Sequence, residues 1–594
     1  MKVKDVPVVG SVYLLPEYTP GFGTGHCFRS LRLLLQLRTE TGLEVFVRIP
    51  KDFPVVALFP EALPWILEPE TFREQLTLEN EGEHLFIFDM PKISGQLFEF
   101  LQSKGKIVAI DGGGAYRKKV AYLIDTLPNL YKDSNRASPW FLPLPKESQL
   151  LGRFKGRPRI LISLGGEDKT GLLLKLAENI QFRTWVGHSD VYVLPGPASR
   201  IDPALRAHTG SWTFLPPVQN LAEQLGKYTL VITIFGLTAF EALASGTPVL
   251  LVHPSRYHKK LSSHSDFADL FDALKYARHI TQILPELRNQ AEEFCRTRPK
   301  DPERRELPSV IEDLANGSSN CCPGCGNRRG KVIARDVQRT FFRCTLCGTE
   351  YQMLAVPQPI TYTEEYFAAD YLRQYGKTYL DDFDTIRLQG KRRLKEIQSL
   401  GVTKGAALDI GCAYGPFMAA AKEFGYEVYG IDVSASGIHY IQETLGLDAR
   451  ECSLFDVSPS DFPPLSLVTL WYVIEHFERL EDVLRLLSHL VQPGGILALG
   501  TPSSRGVTQR GNKKVFYRQS PLDHYSLWYP RQAKKLLARH GFRVKRIISP
   551  SFHPQRYPWP FSTSGLEGFT RLIHRLFQLG DTMEIYAVKR NTFE

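Results

Sequence analysis

Four cysteines near the middle of the chain have the spacing of a metal site. Cys322 and Cys325 are separated by two residues, and Cys344 and Cys347 repeat this spacing after an interval of eighteen residues. A glycine follows each pair and permits the tight turn that presents two sulfurs to one ion. Four thiolates in this arrangement predict a structural Zn2+ site without an open coordination position, so the metal would hold the fold and perform no chemistry.

Basic residues surround these cysteines, which raises nucleic-acid binding as an alternative. Between residues 320 and 352 they outnumber the acidic residues, but a zinc ion held by four thiolates adds net negative charge and leaves the segment only modestly positive. This charge would allow the segment to bind phosphate groups, but we do not expect nucleic acid to be the partner. Phe341 and Phe342 could stack bases, yet in so small a module we expect an aromatic pair to form the core.

A glycine-containing turn later in the chain has the features of a nucleotide-cofactor loop. A buried strand ends at Asp409 and is followed by Gly411, Ala413 and Gly415, and the next strand ends at Asp432. Glycines let the backbone approach a ligand, and an acid about twenty residues further on can accept hydrogen bonds from ribose hydroxyls. The turn by itself fits either a dinucleotide or an adenosyl cofactor.

Downstream motifs favour the adenosyl cofactor. Glu475 and His476 follow the fourth strand, a Pro-Gly-Gly turn precedes the fifth, and His524 and Tyr525 precede a helix. With the loop, which has the E/D-x-G-x-G-x-G form apart from its middle alanine, these motifs resemble class I methyltransferases that use S-adenosylmethionine (SAM), over roughly residues 370–590. The resemblance is strongest to ubiquinone-biosynthesis O-methyltransferases and to sugar C-methyltransferases that carry a four-cysteine zinc ribbon.

The resemblance implies which residues contact SAM. The glycines would lie against its methionine part and Asp432 would take its ribose hydroxyls. Ser453 stands where an acid often meets the adenine amine, so adenine recognition would depend on apolar neighbours such as Leu454. The residues expected to bind SAM are Asp409, Gly411, Ala413, Gly415, Asp432, Ser453 and Leu454.

Methyl transfer is an in-line displacement at a sulfonium, so the enzyme supplies proximity, orientation and a base for the acceptor's proton. Imidazole titrates near neutrality, which makes His476 the preferred base and His524 or Tyr525 the second choice. The alternative for His476 is a packing role at the start of a helix.

The first half of the chain alternates strands that end in glycines with amphipathic helices. This pattern predicts open parallel sheets with ligands at the carboxyl ends of the strands. The turn at residues 21–26 is neither a dinucleotide fingerprint nor a P-loop, because it lacks the third glycine and the Gly-Lys-Ser/Thr sequence.

Two motifs in this half carry a second resemblance. Gly23-Thr-Gly25-His26-x-x-Arg29, followed later by the stretch from Gly236 to Pro248, resembles the nucleotide-sugar hydrolases of pseudaminic acid synthesis and the MurG-type glycosyltransferases, which share the GT-B fold. The resemblance spans roughly residues 8–290. It implies that His26 is a base and that a nucleotide sugar is bound by Gly25, Gly236, Thr238 and Glu241.

A simpler role remains for two of these residues. Thr238 and Glu241 also have the spacing of a capping box, in which the threonine caps a helix and the glutamate reaches back to its first amide. The helix would then need these side chains whether or not a nucleotide binds.

The length of 594 residues exceeds what one hydrophobic core organises. Apolar content of 43% is that of a globular chain, and a net charge of +10 permits phosphate, nucleotide-sugar, RNA or membrane partners without choosing among them. No run of eighteen uncharged apolar residues occurs, the start resembles a core strand and not a signal peptide, and the clustered cysteines suit a reducing compartment. We therefore expect a cytoplasmic protein without a transmembrane segment.

The expected fold class is α/β, with twin Rossmann-type lobes of GT-B type, a small zinc ribbon and a Rossmann-like class I methyltransferase domain. The expected domains are a first lobe (1–150), a nucleotide-binding second lobe (151–290), a linker (291–319), the ribbon (320–354), a helical connector (355–400) and the methyltransferase (401–594).

These features favour a two-enzyme fusion that methylates a sugar or glycoconjugate, with a nucleotide sugar as donor or acceptor. Two alternatives stay open. One is a methyltransferase of a small phenolic or quinone-like acceptor with a non-catalytic N-terminal binding lobe. The other is an RNA-binding modification protein.

Overall fold

The computed structural model describes residues 10–18, 24–78, 82–90, 92–127, 133–145, 156–168, 170–197, 199, 201, 203–299, 306–356, 371–372, 376–550, 552 and 567–591. The chain divides into two compact units. The N-terminal unit covers residues 7–318 together with 335–338, and the C-terminal unit covers 319–334 and 339–594. Among the described residues no helix is long and apolar enough to cross a membrane.

The first sheet of the N-terminal unit has seven strands. They are β1 (Val12–Pro16), β2 (Val45–Arg48), β3 (Ile66–Leu67), β4 (His84–Asp89), β5 (Gly105–Ile110), β6 (Tyr122–Asp125) and β7 (Arg136–Ala137). All pair in parallel in the order β3-β2-β1-β4-β5-β6-β7. The helices between them are α1 (Gly25–Glu40), α2 (Phe72–Leu78) and α3 (Gly95–Lys104).

The second sheet of this unit has six parallel strands. They are β8 (Arg159–Ser163), β9 (Asp190–Val193), β10 (Thr213–Phe214), β11 (Leu230–Thr233), β12 (Val249–Leu251) and β13 (Ala268–Asp269), in the order β10-β9-β8-β11-β12-β13. The helices of this half are α4 (Leu172–Glu178), α5 (Ile180–Val186), α6 (Pro203–His208), α7 (Leu237–Ala244), α8 (Arg256–Ser262), α9 (Leu270–Tyr276) and α10 (Leu284–Arg296). The prediction of open parallel sheets in the first half is confirmed.

The segment predicted as a linker, 291–319, contains the end of one helix and all of a second among its described residues. α10 extends to Arg296, and α11 (Leu307–Asn316) packs within the N-terminal unit. The leucine, valine and isoleucine residues of α11 recur at positions i, i+3, i+4 and i+7 and are buried, which is the pattern of an amphipathic helix. The charged, proline-containing sequence before α11 obscures this pattern. Lys106 Nζ caps the helix end by donating 2.6 Å to the Leu314 carbonyl.

Eleven strands lie in the C-terminal unit. They are β14 (Gly330–Arg335), β15 (Arg339–Cys344), β16 (Glu350–Leu354), β17 (Gly405–Ile410), β18 (Tyr426–Asp432), β19 (Asp448–Glu451), β20 (Leu465–Trp471), β21 (Val491–Pro502), β22 (Ser526–Leu527), β23 (Phe542–Ile548) and β24 (Thr582–Lys589). The helices are α12 (Phe383–Gln398), α13 (Pro416–Glu423), α14 (Ala435–Tyr440), α15 (Leu480–Leu490), α16 (Val507–Gly511), α17 (Lys513–Gln519), α18 (Pro530–Arg539) and α19 (Glu567–Phe577). Helix α12 lies within the segment predicted as a helical connector, and residues 357–370 and 373–375 lie outside the described residues.

These strands form two sheets. The cysteine-rich segment makes a four-stranded sheet in the order β14-β15-β16-β22, so its last strand comes from the following domain. The larger sheet has the order β19-β18-β17-β20-β21-β24-β23, parallel except for β24, which is antiparallel to both neighbours. Phe341 and Phe342 are buried, which confirms that they belong to the core of the cysteine-rich sheet.

Candidate functional site

The turn after β17 has the backbone geometry that its glycines predict. Gly411 and Gly415 have φ of +72° and +77°, and a Cβ atom on Gly411 would lie 2.4 Å from a methyl group of Val473. Ala413 also has a positive φ, +49°, in the left-handed region that costs a residue with a Cβ on the order of 1 kcal/mol. Glycine would be the unstrained choice at this position, so the turn requires another interaction to hold Ala413.

Asp432 supplies that interaction from the end of β18. Its Oδ2 accepts a hydrogen bond of 2.8 Å from the Ala413 amide, and its Oδ1 accepts one of 2.9 Å from the Ser434 amide. Burial raises the pKa of this carboxyl group, and the backbone donors counteract the increase. Two ionised oxygens offer about four acceptor positions, so capacity remains for the ribose hydroxyls that the sequence predicts there.

Asp409 lies behind the turn, inside the sheet. Its Oδ1 accepts a hydrogen bond of 2.5 Å from Thr469 Oγ1, and burial raises its pKa to about 7. Asp409 therefore lies beside the loop as a buried residue, hydrogen-bonded to the neighbouring strand. Ser453 caps a short turn by accepting from the Phe455 amide at 3.3 Å, and Leu454 beside it is buried.

Aromatic residues that the sequence predictions did not single out line the same region. The ring centroids of Tyr371 and Tyr379 are 5.1 Å apart, Tyr379 lies 5.7 Å from Tyr414, and Tyr414 lies 5.6 Å from Tyr440. Burial and the charge of Asp409 raise the pKa of the Tyr379 hydroxyl. The sequence shows that aromatic residues are dense before α12. Their spacing, however, does not predict that any of them lies near the glycine turn.

The predicted base lies in a cluster of acids and imidazoles. His476 is in a short turn after β20, and its Nδ1 lies 3.0 Å from Asp523 Oδ2. The rings of His476 and His524 meet edge to face with centroids 4.8 Å apart. Asp523 was not predicted, because 46 residues separate it from His476 and no local pattern marks it.

The cysteine-rich sheet holds the segment that carries Asp523 and His524. Strand β16 pairs with β22, which begins two residues after His524. Gln352 Nε2 donates 2.5 Å to the Leu522 carbonyl, and an Arg339 guanidinium donates 3.1 Å to the Pro521 carbonyl. The position of the acid and imidazole therefore depends on the fold of the cysteine-rich segment.

Electrostatics separates the three candidate bases. Burial lowers the pKa of His476, but the hydrogen bond to Asp523 and the charge of Glu475 outweigh it and leave the pKa raised. Burial and the neighbouring His476 lower the pKa of His524 to about 3, so it is neutral near pH 7 and a weak base. Burial raises the pKa of Tyr525 to about 12, which keeps its hydroxyl protonated. His476 is the strongest base of the three at neutral pH.

Glu475 is fully buried, and neither of its oxygens has a hydrogen-bond partner among the described residues. Burial raises its pKa to about 7. Glu475, His476 and His524 each offer one ligand atom within 4.8 Å of the others, so this group has the donor set for a divalent ion.

The four predicted cysteines converge. Cys322 Sγ lies 3.5 Å from Cys347 Sγ, Cys325 Sγ lies 3.6 Å from Cys344 Sγ, and all four sulfurs are within 4.8 Å of one another. Zn–S bonds of about 2.3 Å in a tetrahedron place sulfurs roughly 3.8 Å apart, so the donor set and its dimensions fit zinc. The glycines after the two pairs have φ of +67° and +80°, which confirms the predicted turns.

In the N-terminal unit, the five predicted residues lie on one cavity of about 420 Å3 between the two sheets. They are Gly25, His26, Gly236, Thr238 and Glu241. Gly23, part of the motif that suggested this site, lies outside the described residues.

His26 faces this cavity and contacts an acid. Its Nδ1 lies 2.6 Å from Asp89 Oδ1. Arg29 joins Asp89 to Asp111, with Nε donating 2.7 Å to the first and Nη1 donating 2.8 Å to the second. The buried arginine and its charge hold the pKa of Asp89 at about 2 in spite of burial, which favours the ionised form beside His26.

The capping box considered for α7 does not form. The helix begins after Gly236, and no side chain caps it. Glu241 is 2% exposed and accepts a hydrogen bond of 2.7 Å from Arg32 Nη1 of α1. Burial raises the pKa of Glu241 and Arg32 opposes the increase. A ribose at Glu241 would have to share this carboxylate with Arg32.

Comparison with known proteins concerns the C-terminal part of the chain. Residues 386–547 match a family described as a methyltransferase domain. The ubiquinone biosynthesis O-methyltransferase of Coxiella burnetii (strain Dugway 5J108-111) is 25% identical over 182 residues, which is 29% of this chain and 77% of that protein. Its counterpart in strain RSA 493 / Nine Mile phase I is 29% identical over 182 residues, which again is 29% of this chain and 77% of that protein.

One similar solved structure is a SAM-dependent methyltransferase from Archaeoglobus fulgidus, which is 21% identical with a TM-score of 0.28. The match covers 37% of this chain and 98% of that chain. Another is the magnesium protoporphyrin IX methyltransferase of Synechocystis PCC 6803 with bound SAH, with 16% identity, a TM-score of 0.27, and 38% and 96% covered. The residues that match the family include the glycine turn, Asp432 and His476. The C-terminal part of the chain therefore carries a SAM-dependent methyltransferase domain.

Proposed function

We propose that this domain methylates a sugar or glycoconjugate and that His476 removes the acceptor's proton. The observation that carries the proposal is the His476–Asp523 pair at the carboxyl end of β20. Asp523 accepts the Nδ1 proton, which leaves Nε2 as the basic nitrogen and orients the ring. SAM, when bound, supplies an electrophilic methyl group on its sulfonium.

The other residues position and shield this step. The glycine turn would lie against the cofactor, and Asp432, which also accepts from the Ala413 amide, would bind the ribose hydroxyls. His524 is neutral near pH 7 and offers a hydrogen-bond partner for an acceptor hydroxyl without competing for its proton. The four cysteines would hold structural zinc and so stabilise the sheet whose strand β22 follows the turn that carries Asp523.

The sugar acceptor is supported by the resemblance to zinc-ribbon sugar methyltransferases, and the names of the curated relatives support a quinone-like phenol instead. A panel of nucleotide sugars, free glycans and catechols, with SAH release as the readout, separates them. His476→Ala is expected to reduce turnover of the accepted compound by about 10²–10⁴-fold. His489→Ala removes an imidazole from α15 and is the control. Turnover of catechols alone would rule out the sugar assignment, and equal rates in both variants would rule out His476 as base.

We propose a second function for the N-terminal unit: binding of a nucleotide sugar in the 420 Å3 cavity, on a GT-B-like pair of lobes. The specific support is that the five predicted residues line this cavity and that His26 is paired with ionised Asp89. Calorimetry with a panel of nucleotide sugars tests the proposal. His26→Ala is expected to remove turnover while retaining part of the affinity, and the exposed His188→Ala is the matched control. If no nucleotide sugar in the panel binds, the unit is a binding lobe for another ligand.

RNA binding is the least supported alternative. Phe341 and Phe342 are buried and cannot stack on bases without unfolding the sheet. Binding to an oligonucleotide with a steep salt dependence would nevertheless favour this alternative over the two proposals.

A further inference from the structure

A basic cavity of about 610 Å3 lies in the C-terminal unit, apart from the residues assigned to SAM. Three segments far apart in sequence form most of its wall: the second cysteine turn (343–348), the start of α16 with the loop before it (505–510), and the first turns of α18 (529–535). Phe577 and Gln578 complete it. No aspartate or glutamate lines this cavity among the described residues, but two of the predicted zinc ligands, Cys344 and Cys347, do.

Five cationic side chains do line it. They are Arg343, Arg505, Arg510, Arg531 and Lys535. The buried Glu350 lies behind the first two, and its Oε1 accepts a hydrogen bond of 2.6 Å from Arg343 and one of 2.7 Å from Arg505. One carboxylate therefore serves two guanidinium groups, and the pair retains a net positive charge.

The other three cations have no ion pair within the described part of the chain. Arg510 donates only to a backbone carbonyl, that of Arg505 at 3.0 Å, and no carboxylate lies within ion-pairing distance of Arg531 or Lys535. Like charges around one cavity repel each other unless an anion is bound between them. A zinc ion with four thiolates would contribute −2 and Glu350 contributes −1, so the five cations still leave a net charge of about +2 at this wall, which favours an anionic ligand.

Two further features point into the same cavity. Helix α18 has Pro530 at its first position and no side-chain cap, and its first turn lines the cavity, so its positive dipole end would favour an anion there. Gln532 is 1% exposed and lines the cavity, its Nε2 donates 3.1 Å to Thr349, and its Oε1 has no hydrogen-bond partner. Oε1 has almost no accessible surface, so a ligand hydroxyl can recover the free-energy cost of this unpaired acceptor only if the side chain turns its amide toward the cavity.

We propose that this cavity binds a phosphate ester of a hydroxylated compound. The phosphate lies among the guanidinium groups, whose planar forks match its oxygens, and a ligand hydroxyl donates to Gln532 Oε1. Leu346 and Phe577, which are 70% and 66% exposed at the rim, contact the organic part. The proposal is independent of the methyl acceptor, because it requires only that the ligand bind.

Calorimetry with the full-length, zinc-replete protein tests it, using inorganic pyrophosphate and glucose 1-phosphate as probes. Arg531→Gln/Lys535→Gln is expected to weaken both probes by about tenfold or more per cation removed. Lys513→Gln/Lys514→Gln removes the same charge from exposed positions of α17 outside the cavity and is expected to leave both affinities unchanged. Equal losses in the two double variants, or no binding of either probe at low ionic strength, would overturn the proposal.

Gln532→Leu separates the hydroxyl contact from the charge contact. Glucose 1-phosphate is expected to bind about tenfold more weakly, while pyrophosphate keeps its affinity and so reports that the cavity is still folded. An unchanged affinity for glucose 1-phosphate would refute the role of Gln532. Loss of pyrophosphate binding in Gln532→Leu would contradict the separation of the hydroxyl contact from the charge contact.

Vesicles of phosphatidylglycerol, compared with neutral phosphatidylcholine, identify the source of the phosphate. Binding of the soluble probes without vesicle binding identifies a free phosphate ester. Binding to phosphatidylglycerol vesicles that pyrophosphate displaces identifies a lipid headgroup at the same site. Vesicle binding that pyrophosphate does not displace, and that the cavity double variant retains, would contradict a phosphate site in this cavity.

Discussion

Replacing Asp432 by alanine is expected to remove most of the affinity for SAM. The carboxylate accepts hydrogen bonds of 2.8 and 2.9 Å from the amides of Ala413 and Ser434, and it is proposed to accept the two ribose hydroxyls. The first amide belongs to a residue with a left-handed backbone, so the same side chain holds the turn and contacts the cofactor.

The expected loss follows from these bonds. A hydrogen bond to a charged group contributes about 1.5–3 kcal/mol, so loss of the two ribose bonds weakens SAM by roughly 3–6 kcal/mol, or at least about 100-fold in Kd. Loss of the acceptor for the two buried amides also destabilises the fold by about 1–3 kcal/mol for each amide. Asp432→Asn keeps one acceptor oxygen, so its effects on binding and stability should be intermediate.

Calorimetric titration with SAM and with SAH measures the first effect, and thermal unfolding measures the second. Glu427→Ala removes an exposed acid from the same strand, five residues away, and should leave both unchanged. The SAM affinities are compared only between variants that are folded at the temperature of the titration. Equal SAM affinity in wild type and Asp432→Ala would refute the assignment of Asp432 to the ribose.

Three further predictions concern the base, the metal and the buried acid. Asp523→Asn removes the hydrogen bond that raises the pKa of His476, so the acidic limb of the kcat profile should move to lower pH and kcat should fall; an unmoved limb would argue against this pair. Cys344→Ser should lower the zinc content measured by atomic absorption and the Tm, whereas the adjacent non-ligand variant Cys321→Ser should not. Because the pKa of Glu475 is raised to about 7, its contribution to stability is present below its ordinary value of 4.5 and is lost as pH rises through 7. Glu475→Gln should therefore stabilise the protein by about 3 kcal/mol at pH 8 relative to wild type and by little at pH 4.5, as followed by urea unfolding; equal effects at both pH values would contradict the buried, unpaired carboxyl group.

The sequence by itself determined the features that depend on local spacing. Two Cys-x-x-Cys pairs predict four converging sulfurs, because each pair needs only one tight turn. A strand, a glycine turn and an acid at the end of the next strand predict that Gly411 and Asp432 meet, since adjacent parallel strands end at the same edge of a sheet. The five residues of the N-terminal cavity came from motifs of the same local kind.

The tertiary structure decided what depends on contacts between distant segments. Asp523 reaches His476 only because β22 pairs with β16 of the cysteine-rich sheet, a pairing that no local pattern encodes. Glu241 is engaged by Arg32, more than 200 residues earlier in the chain, and the capping box expected from its neighbours is absent. The basic cavity likewise unites three segments whose separate charges are unremarkable. Local spacing specifies which groups a turn presents, but packing of distant strands specifies their partners, and those partners set the pKa values that determine the chemistry.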